Sequence, residues 1–363
     1  MTTEEMIKVV EENVQRLENN EFFLYFFVLD TKGNPSSALE YIYTTALQLK
    51  NAGYNVKMLH NEKEFVGVGE WLGEEYANLP HANVEKENVE ITASDFLFIP
   101  EIFANVMMQT KKLPCKRVIL VQNANNITEF MPVSQNLDNL GITDAIVTTE
   151  ANEDKLVSYF PEVRTHLVSP SIKSVFHRQE EPQKLLINVV AKDQTDVNRI
   201  VKPFYWKNPV YKFVSFRDLR GLTMETFADA LREAAITVWV DDKTPFGYTL
   251  LESLKSGSIV LAKVPEDPSE WMLDEDGNLS NSIIWFDKLD DVSDMLSSVV
   301  RSWTRFEVPD SIYEEQKKFD NLYTEDVQKN AILHVYKNEF IDRRLNDFKE
   351  VLAELKNKEE ETE

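Results

Sequence analysis

Short unbroken apolar runs alternate along this chain with stretches whose apolar positions fall three or four residues apart. Runs of the first kind read as buried strands, and spacing of the second kind reads as helix. In the first half, strands are expected at Phe22–Asp30, Tyr54–Leu59, Phe96–Pro100, Arg117–Gln122, Ala145–Thr148 and Thr165–Val168. They are apolar on both faces, as strands of a parallel sheet are. Helices are expected over Met1–Asn19, from Ser36 or Ser37 to about Asn51, over Glu101–Lys112 and over Glu153–Tyr159. Residues 61–90 are polar and irregular, with Gly67, Gly69 and Gly73, and fit a short-strand or mobile segment.

Residues 169–183 are polar, proline-punctuated and without periodicity, as a linker is. Beyond them, strands are expected at Leu185–Ala191, Tyr211–Phe216, Ile236–Val240, Ile259–Ala262 and Ile283–Phe286. Helices are expected at Thr223–Ala234, Gly247–Lys255 and Val292–Trp303. Two long helices are expected across 311–351, with Ile312, Phe319, Ile332, Val335, Phe340 and Leu345 among their apolar positions, before a charged tail from Lys356. The stretch Ile236–Ala262 is the sharpest: strand, turn, helix, strand, one parallel βαβ unit.

With 363 residues and 43% hydrophobic content, the chain can bury two cores. A net charge of −23 argues against broad binding to nucleic acid or anionic lipid, which would repel it. A single cysteine, Cys115, excludes an intrachain disulfide and fits a reducing cytoplasm. The apolar run Phe22–Leu29 is too short to span a bilayer, and Met1–Asn19 is acidic rather than signal-like. The five histidines are scattered and form no ligand cluster, so no metal is expected.

Candidate chemistry centres on the turn of Ile236–Ala262. There a helix N-terminus directs backbone N–H groups into the crevice at the carboxyl end of the sheet, a setting suited to phosphate. The segment Thr244–Glu252, TPFGYTLLE, is similar to the E-P-F-G-L-T-L-L-E segment of retaining glycosyltransferases of the family 4 type, matching at seven of nine positions. That resemblance implies the GT-B fold and a nucleotide-sugar donor. It implies that Glu252 holds the ribose, and that Phe246, Gly247, Tyr248 and Thr249 face the diphosphate and sugar. The family's first glutamate falls on Thr244, so Asp241 or Asp242 is the substitute carboxylate, with Asp242 preferred. Lys192 and Arg199 are the nearest counterparts of the family's diphosphate-binding cations. They lie in the stretch Lys192–Arg220, where seven basic residues meet three acids. Asp218 and Leu219 follow the strand after which the family reads the nucleobase. Gly33 and Asn34 correspond to a glycine-containing loop near the reaction centre.

The resulting expectation is an α/β protein of two Rossmann-like domains facing a cleft, 1–170 for the acceptor and 184–318 for the nucleotide-sugar. Residues 319–363 would return helices to the first domain. The expected reaction is transfer of a glycosyl group from a nucleotide-sugar, such as a UDP-sugar, to an unidentified hydroxyl acceptor. The configuration would be retained, with no cofactor and no stable membrane insertion. Two rivals stand beside it. Thr244 fits a catalytically impaired binding or scaffold subunit. A basic cleft could also hold DNA for sugar transfer to modified bases, against the acidic total.

Overall fold

A computed structural model describes residues 2–180, 183–308 and 317–360. The expected apolar position Ile312, Glu181 and Pro182 of the linker, Met1 and the end of the tail lie outside the described residues. Among the described residues twelve strands form two parallel sheets. In the first half these are β1 (Phe23–Phe27), β2 (Asn55–His60), β3 (His81–Asn83), β4 (Phe96–Pro100), β5 (Lys116–Val121), β6 (Asp144–Val147) and β7 (Arg164–Leu167). The second half supplies β8 (Lys184–Val190), β9 (Ser215–Asp218), β10 (Ala234–Trp239), β11 (Ile259–Lys263) and β12 (Ile284–Phe286). Contacts divide the chain into two compact units. One holds the chain up to Thr148, Glu153–Val168 and everything from Gln328 onward; the other holds Thr149–Asn152 and Ser169–Val327. In this division the first unit resumes at Gln328.

The first unit orders its strands β3-β2-β1-β4-β5-β6-β7. Phe23 pairs with Asn55, and Leu24 with both Val56 and Phe96, so β1 lies between β2 and β4. Strand order reverses between β1 and β4, which opens a crevice beyond their carboxyl ends. Along β1, Tyr25 and Phe27 join a core with Leu59, Leu97, Ile99 and Ile119. Cys115 sits in that core, and burial pushes its thiol up to about 11. The opposite face carries Phe26 and Phe98, stacked at 4.8 Å. Tyr336 lies 4.8 Å and Phe340 5.8 Å from Phe98. Both come from the helical segment Val335–Asp342, whose wide π turns bring them to the sheet. The C-terminal chain therefore completes the first unit. Arg344 extends that attachment by donating to the Ala93 carbonyl at 3.0 Å.

The second unit orders its strands β12-β11-β10-β8-β9, reversing between β8 and β10. Ile236 pairs with Ile259 on one side and Ile187 on the other, which makes β10 the central strand, and all six of its residues are buried. One face packs Ile187, Ile236 and Leu261 against Ile200, Phe204 and Leu296. The other packs Val260 and Trp239 against Leu231, Leu250, Leu251 and Leu254.

Two differences from expectation have physical causes. The run Tyr211–Phe216, expected as a strand, begins instead as a 3-10 turn, Pro209–Tyr211, and the strand starts only at Ser215. The run has the β-branched and aromatic content of a strand, but Phe213 within it and Val210 just before it are exposed rather than paired into the sheet. The helix Gln194–Lys207 was hidden by its charges and by Pro203, which withholds one N–H from the helix.

Candidate functional site

The site is built from the turn between β10 and the helix Tyr248–Lys255. Gly247 is the helix N-cap and sits at φ 68°, ψ 51°, in the left-handed region open chiefly to glycine. Among the described residues no side chain makes a capping hydrogen bond to this helix. A Cβ on Gly247 would come within 2.5 Å of the Met272 methyl. Neighbouring side chains hold the turn. Trp271 Nε1 donates to the Phe246 carbonyl at 2.8 Å. The buried Phe246 ring meets Tyr248 at 4.8 Å and Tyr323 at 5.2 Å, and the Tyr323 hydroxyl donates to Glu270 at 2.9 Å. Thr249 is half-buried in the first turn, its carbonyl accepting from Ser253 at 2.6 Å. Glu252, one turn further on, is buried.

A neighbouring helix that starts at this sheet end differs. After β8, the helix Gln194–Lys207 is capped by Asp193, whose carboxylate accepts from the N–H groups of Thr195 (2.7 Å) and Asp196 (3.1 Å). A carboxylate thus occupies the positive end of that helix, while the Gly247 helix start has no such side chain.

The reversal between β8 and β10 is bridged by charge. Lys192 Nζ, just beyond β8, lies 3.1 Å from Asp241 Oδ2, just beyond β10. Asp241 also accepts from the Thr244 hydroxyl at 2.6 Å and from the Lys243 N–H at 2.9 Å. Lys192, Asp241 and Thr244 are therefore one cluster. Asp242, the carboxylate preferred from sequence, turns instead to Lys263 at the end of β11. Burial opposes its charge, but the Lys263 ammonium outweighs burial and holds the carboxyl below its ordinary value. Neighbouring residues at a strand end point to opposite sides, so only one of the two could meet Thr244. Closeness to the turn, which favoured Asp242 in the sequence, does not decide which one.

Other expected residues fall in separate settings. Arg199 points to Asp196 (3.8 Å) and Asp290 (3.3 Å) and is half exposed, in a surface ion-pair arrangement. Asp218 ends β9 and is paired with Arg220, whose hydrogen bond holds the Asp218 carboxyl low. Leu219 is buried against the same cluster as Phe246.

In the first unit, Gly33 (φ 78°) and Asn34 form a tight turn after β1. Asn34 N–H and Nδ2 both donate to the Thr31 carbonyl, at 3.1 and 2.7 Å. The buried Asp30 carboxylate anchors the turn, accepting from the N–H groups of Lys32 (3.0 Å), Val66 (3.0 Å) and Gly67 (3.3 Å). His60 closes β2 at the same sheet end. It stacks on Phe65 at 4.1 Å and lies 3.6 Å from Glu62.

Glu101 follows β4 and is buried. It accepts from the N–H groups of Gln122 (3.3 Å) and Asn123 (3.0 Å) and from Asn126 (3.0 Å). Burial pushes its carboxyl up to about 7 despite these donors. A raised folded-state value means that its contribution to stability is present below 4.5 and is lost as pH rises through 7. Glu101→Gln is expected to remove that loss, so the variant gains roughly 3 kcal/mol on wild type between pH 4.5 and pH 8. Urea unfolding at both pH values checks this; a difference that does not move with pH refutes it.

No protein-family model matches the chain, and no curated protein matches its sequence. Solved structures do match. A sucrose-phosphate synthase from Thermosynechococcus elongatus is similar over 88% of this chain and 99% of its own, at 11% identity and a TM-score of 0.59. A pneumococcal O-GlcNAc transferase, in complex with UDP and GlcNAc, covers 92% of this chain and 99% of its own, at 7% identity and 0.58. The Anabaena protein HepE, in complex with UDP-glucose, covers 87% and 99%, at 9% identity and 0.58. At such identities the likeness is one of fold: two parallel-sheet α/β units of the GT-B type.

Proposed function

We propose that the chain is a glycosyltransferase that moves a sugar from a nucleotide-sugar, of which a UDP-sugar is the favoured donor, to an acceptor hydroxyl. The observation that carries this reading is the Gly247 helix start beside the Lys192–Asp241 pair, at the reversal point of the second sheet. A diphosphate fits this end of the sheet, because first-turn N–H groups and an ammonium favour oxygen anions. The fold's likeness to proteins solved with UDP and with UDP-glucose supports the same donor class.

The chemistry asks for two kinds of help. Breaking the sugar–phosphate bond builds negative charge on the departing diphosphate and positive charge on the ring. The Gly247 helix start and Lys192 would stabilise the former, since preorganised donors act where charge develops. Asp241, oriented by Thr244, would accept hydrogen bonds from sugar hydroxyls where the related families place a glutamate. Glu252 would take the ribose hydroxyls, and the Asp218–Leu219 turn would flank the base. Acceptor binding is assigned to the first unit, whose Gly33–Asn34 turn stands at its own reversal point. The resemblance of Thr244–Glu252 to the family 4 segment extends the reading to retention of configuration.

The test is donor hydrolysis and transfer across a panel of nucleotide-sugars, with the product anomer read by NMR. UDP release from one donor, and a product keeping the donor's anomeric form, are expected. An inverted product rejects retention, and inactivity with every donor, without thermal stabilisation by any, rejects the function. Within an active protein, Asp241→Asn is expected to cut turnover by about tenfold to a hundredfold, the scale of losing a hydrogen bond to a charged group. Asp242→Asn should stay within about threefold of wild type, as a partly exposed ion pair contributes little. The reverse order of effects would return the role to Asp242.

A further inference from the structure

Residues 197–217 hold five basic side chains and no acid, although 62 of the 363 residues are acidic and three or four would fall in a stretch this long. The same stretch displays large apolar side chains to solvent. Trp206 is 74% exposed, Val210 74% and Phe213 64%. Their exposure does not come from a loose loop. The Tyr205 hydroxyl donates to the Val214 carbonyl at 2.6 Å, the Val214 N–H donates to the Tyr211 carbonyl at 3.0 Å, and Phe204 stacks on Tyr211 at 6.1 Å. Beneath them Phe204 is fully buried. A firm base thus holds three apolar tips outward, where isolated solvent exposure of a tryptophan and a phenylalanine has no folding benefit.

The same short stretch carries Lys202, Lys207 and Lys212. Lys207 pairs with Asp294 at 2.9 Å, while Lys202 and Lys212 are exposed and have no ion pair among the described residues. Exposed apolar side chains interleaved along the chain with exposed lysines match the interface of an anionic bilayer. Tryptophan favours the headgroup level, valine and phenylalanine enter the acyl boundary, and lysine stems reach back to lipid phosphates. The whole-chain charge of −23 is not what such a surface meets, since charges beyond about 8 Å are screened at physiological salt. A polyanion such as nucleic acid would match the lysines but leave Val210 without a role.

We propose that the tip formed by Trp206, Val210 and Phe213, with Lys202 and Lys212, docks the second unit peripherally onto an anionic lipid surface. Among the described residues no helix is long and apolar enough to cross a membrane. The tip connects the end of the helix Gln194–Lys207 to the start of β9, at the amino end of a parallel sheet. The Gly247 turn follows the carboxyl end of β10, so docking leaves the opposite end of the unit open to ligands.

The experiment is sedimentation of the full chain with vesicles of phosphatidylcholine alone and with about one third phosphatidylglycerol, at low and physiological salt. Wild type is expected to sediment with the anionic vesicles and not with the neutral ones. Trp206→Ser/Phe213→Ser and Lys202→Glu/Lys212→Glu are each expected to weaken that binding about tenfold or more. All four side chains are exposed, so unchanged melting temperatures are expected and confirm intact folds. Binding of wild type to neither vesicle, or equal binding by all three proteins, overturns the proposal. Self-association without lipid that Trp206→Ser/Phe213→Ser abolishes assigns the tip to a second copy and overturns it also. Binding to DNA in preference to anionic vesicles does the same.

Discussion

Phe340→Ala is expected to destabilise the protein by about 3–5 kcal/mol, the range for removing a buried aromatic ring. Phe340 is 2% exposed, and its ring meets those of Phe98, Tyr336 at 5.6 Å and His166 at 5.0 Å. Its loss leaves a cavity between the sheet and the returning helical segment, in a region closed by side chains fixed on both sides. Nearby Tyr336→Phe provides the contrast. The Tyr336 hydroxyl is buried without a hydrogen-bond partner among the described residues, so removing it should be neutral or stabilising. Urea unfolding of the two variants decides. A loss below about 1 kcal/mol for Phe340→Ala would mean that the C-terminal segment is only loosely attached.

Glu252→Gln is expected to weaken nucleotide binding by about 1–3 kcal/mol, or roughly fivefold to 150-fold, if the carboxylate accepts from both ribose hydroxyls. The glutamine keeps the size of the side chain but offers one acceptor oxygen instead of two. Calorimetry with UDP and with the bare base should separate the contributions: the loss belongs to UDP and should be absent for uracil. Unchanged UDP affinity in a folded variant removes Glu252 from the ribose. Because Glu252 is buried, melting temperature without ligand must be measured alongside.

Much of the fold was legible because parallel strands buried on both faces leave unbroken apolar runs. Phe96–Pro100 shows this, with all five residues buried. What the runs could not encode is which strand lies beside which. That β8 and β10 are neighbours follows from long-range pairing such as Thr237 with Asn188, and only this brings Lys192 to Asp241. The Gly247 turn was legible from residue types, since a left-handed helix entry demands glycine. The choice between Asp241 and Asp242 was not, because it depends on the phase in which β10 ends. Tyr211–Phe216 misled for the opposite reason: strand-forming residue types there serve an exposed tip. Glu101, expected as the first residue of a helix, lies instead between β4 and the helix Ala104–Gln109, and nothing local revealed its burial.

The division of the chain also sets a schedule for its birth. The second unit is contiguous apart from Thr149–Asn152, so a ribosome delivers nearly all of it in one passage. The first unit has its seven strands by Leu167 but lacks the segment from Gln328 that brings Tyr336 and Phe340 onto Phe98. At translation rates of roughly 5–20 residues per second, that segment arrives on the order of 10–40 s later. In that interval the nascent sheet carries an uncovered aromatic face while the later-encoded unit can already be complete. The unit written first is therefore the one finished last, and its half-built state is where a chaperone would be needed.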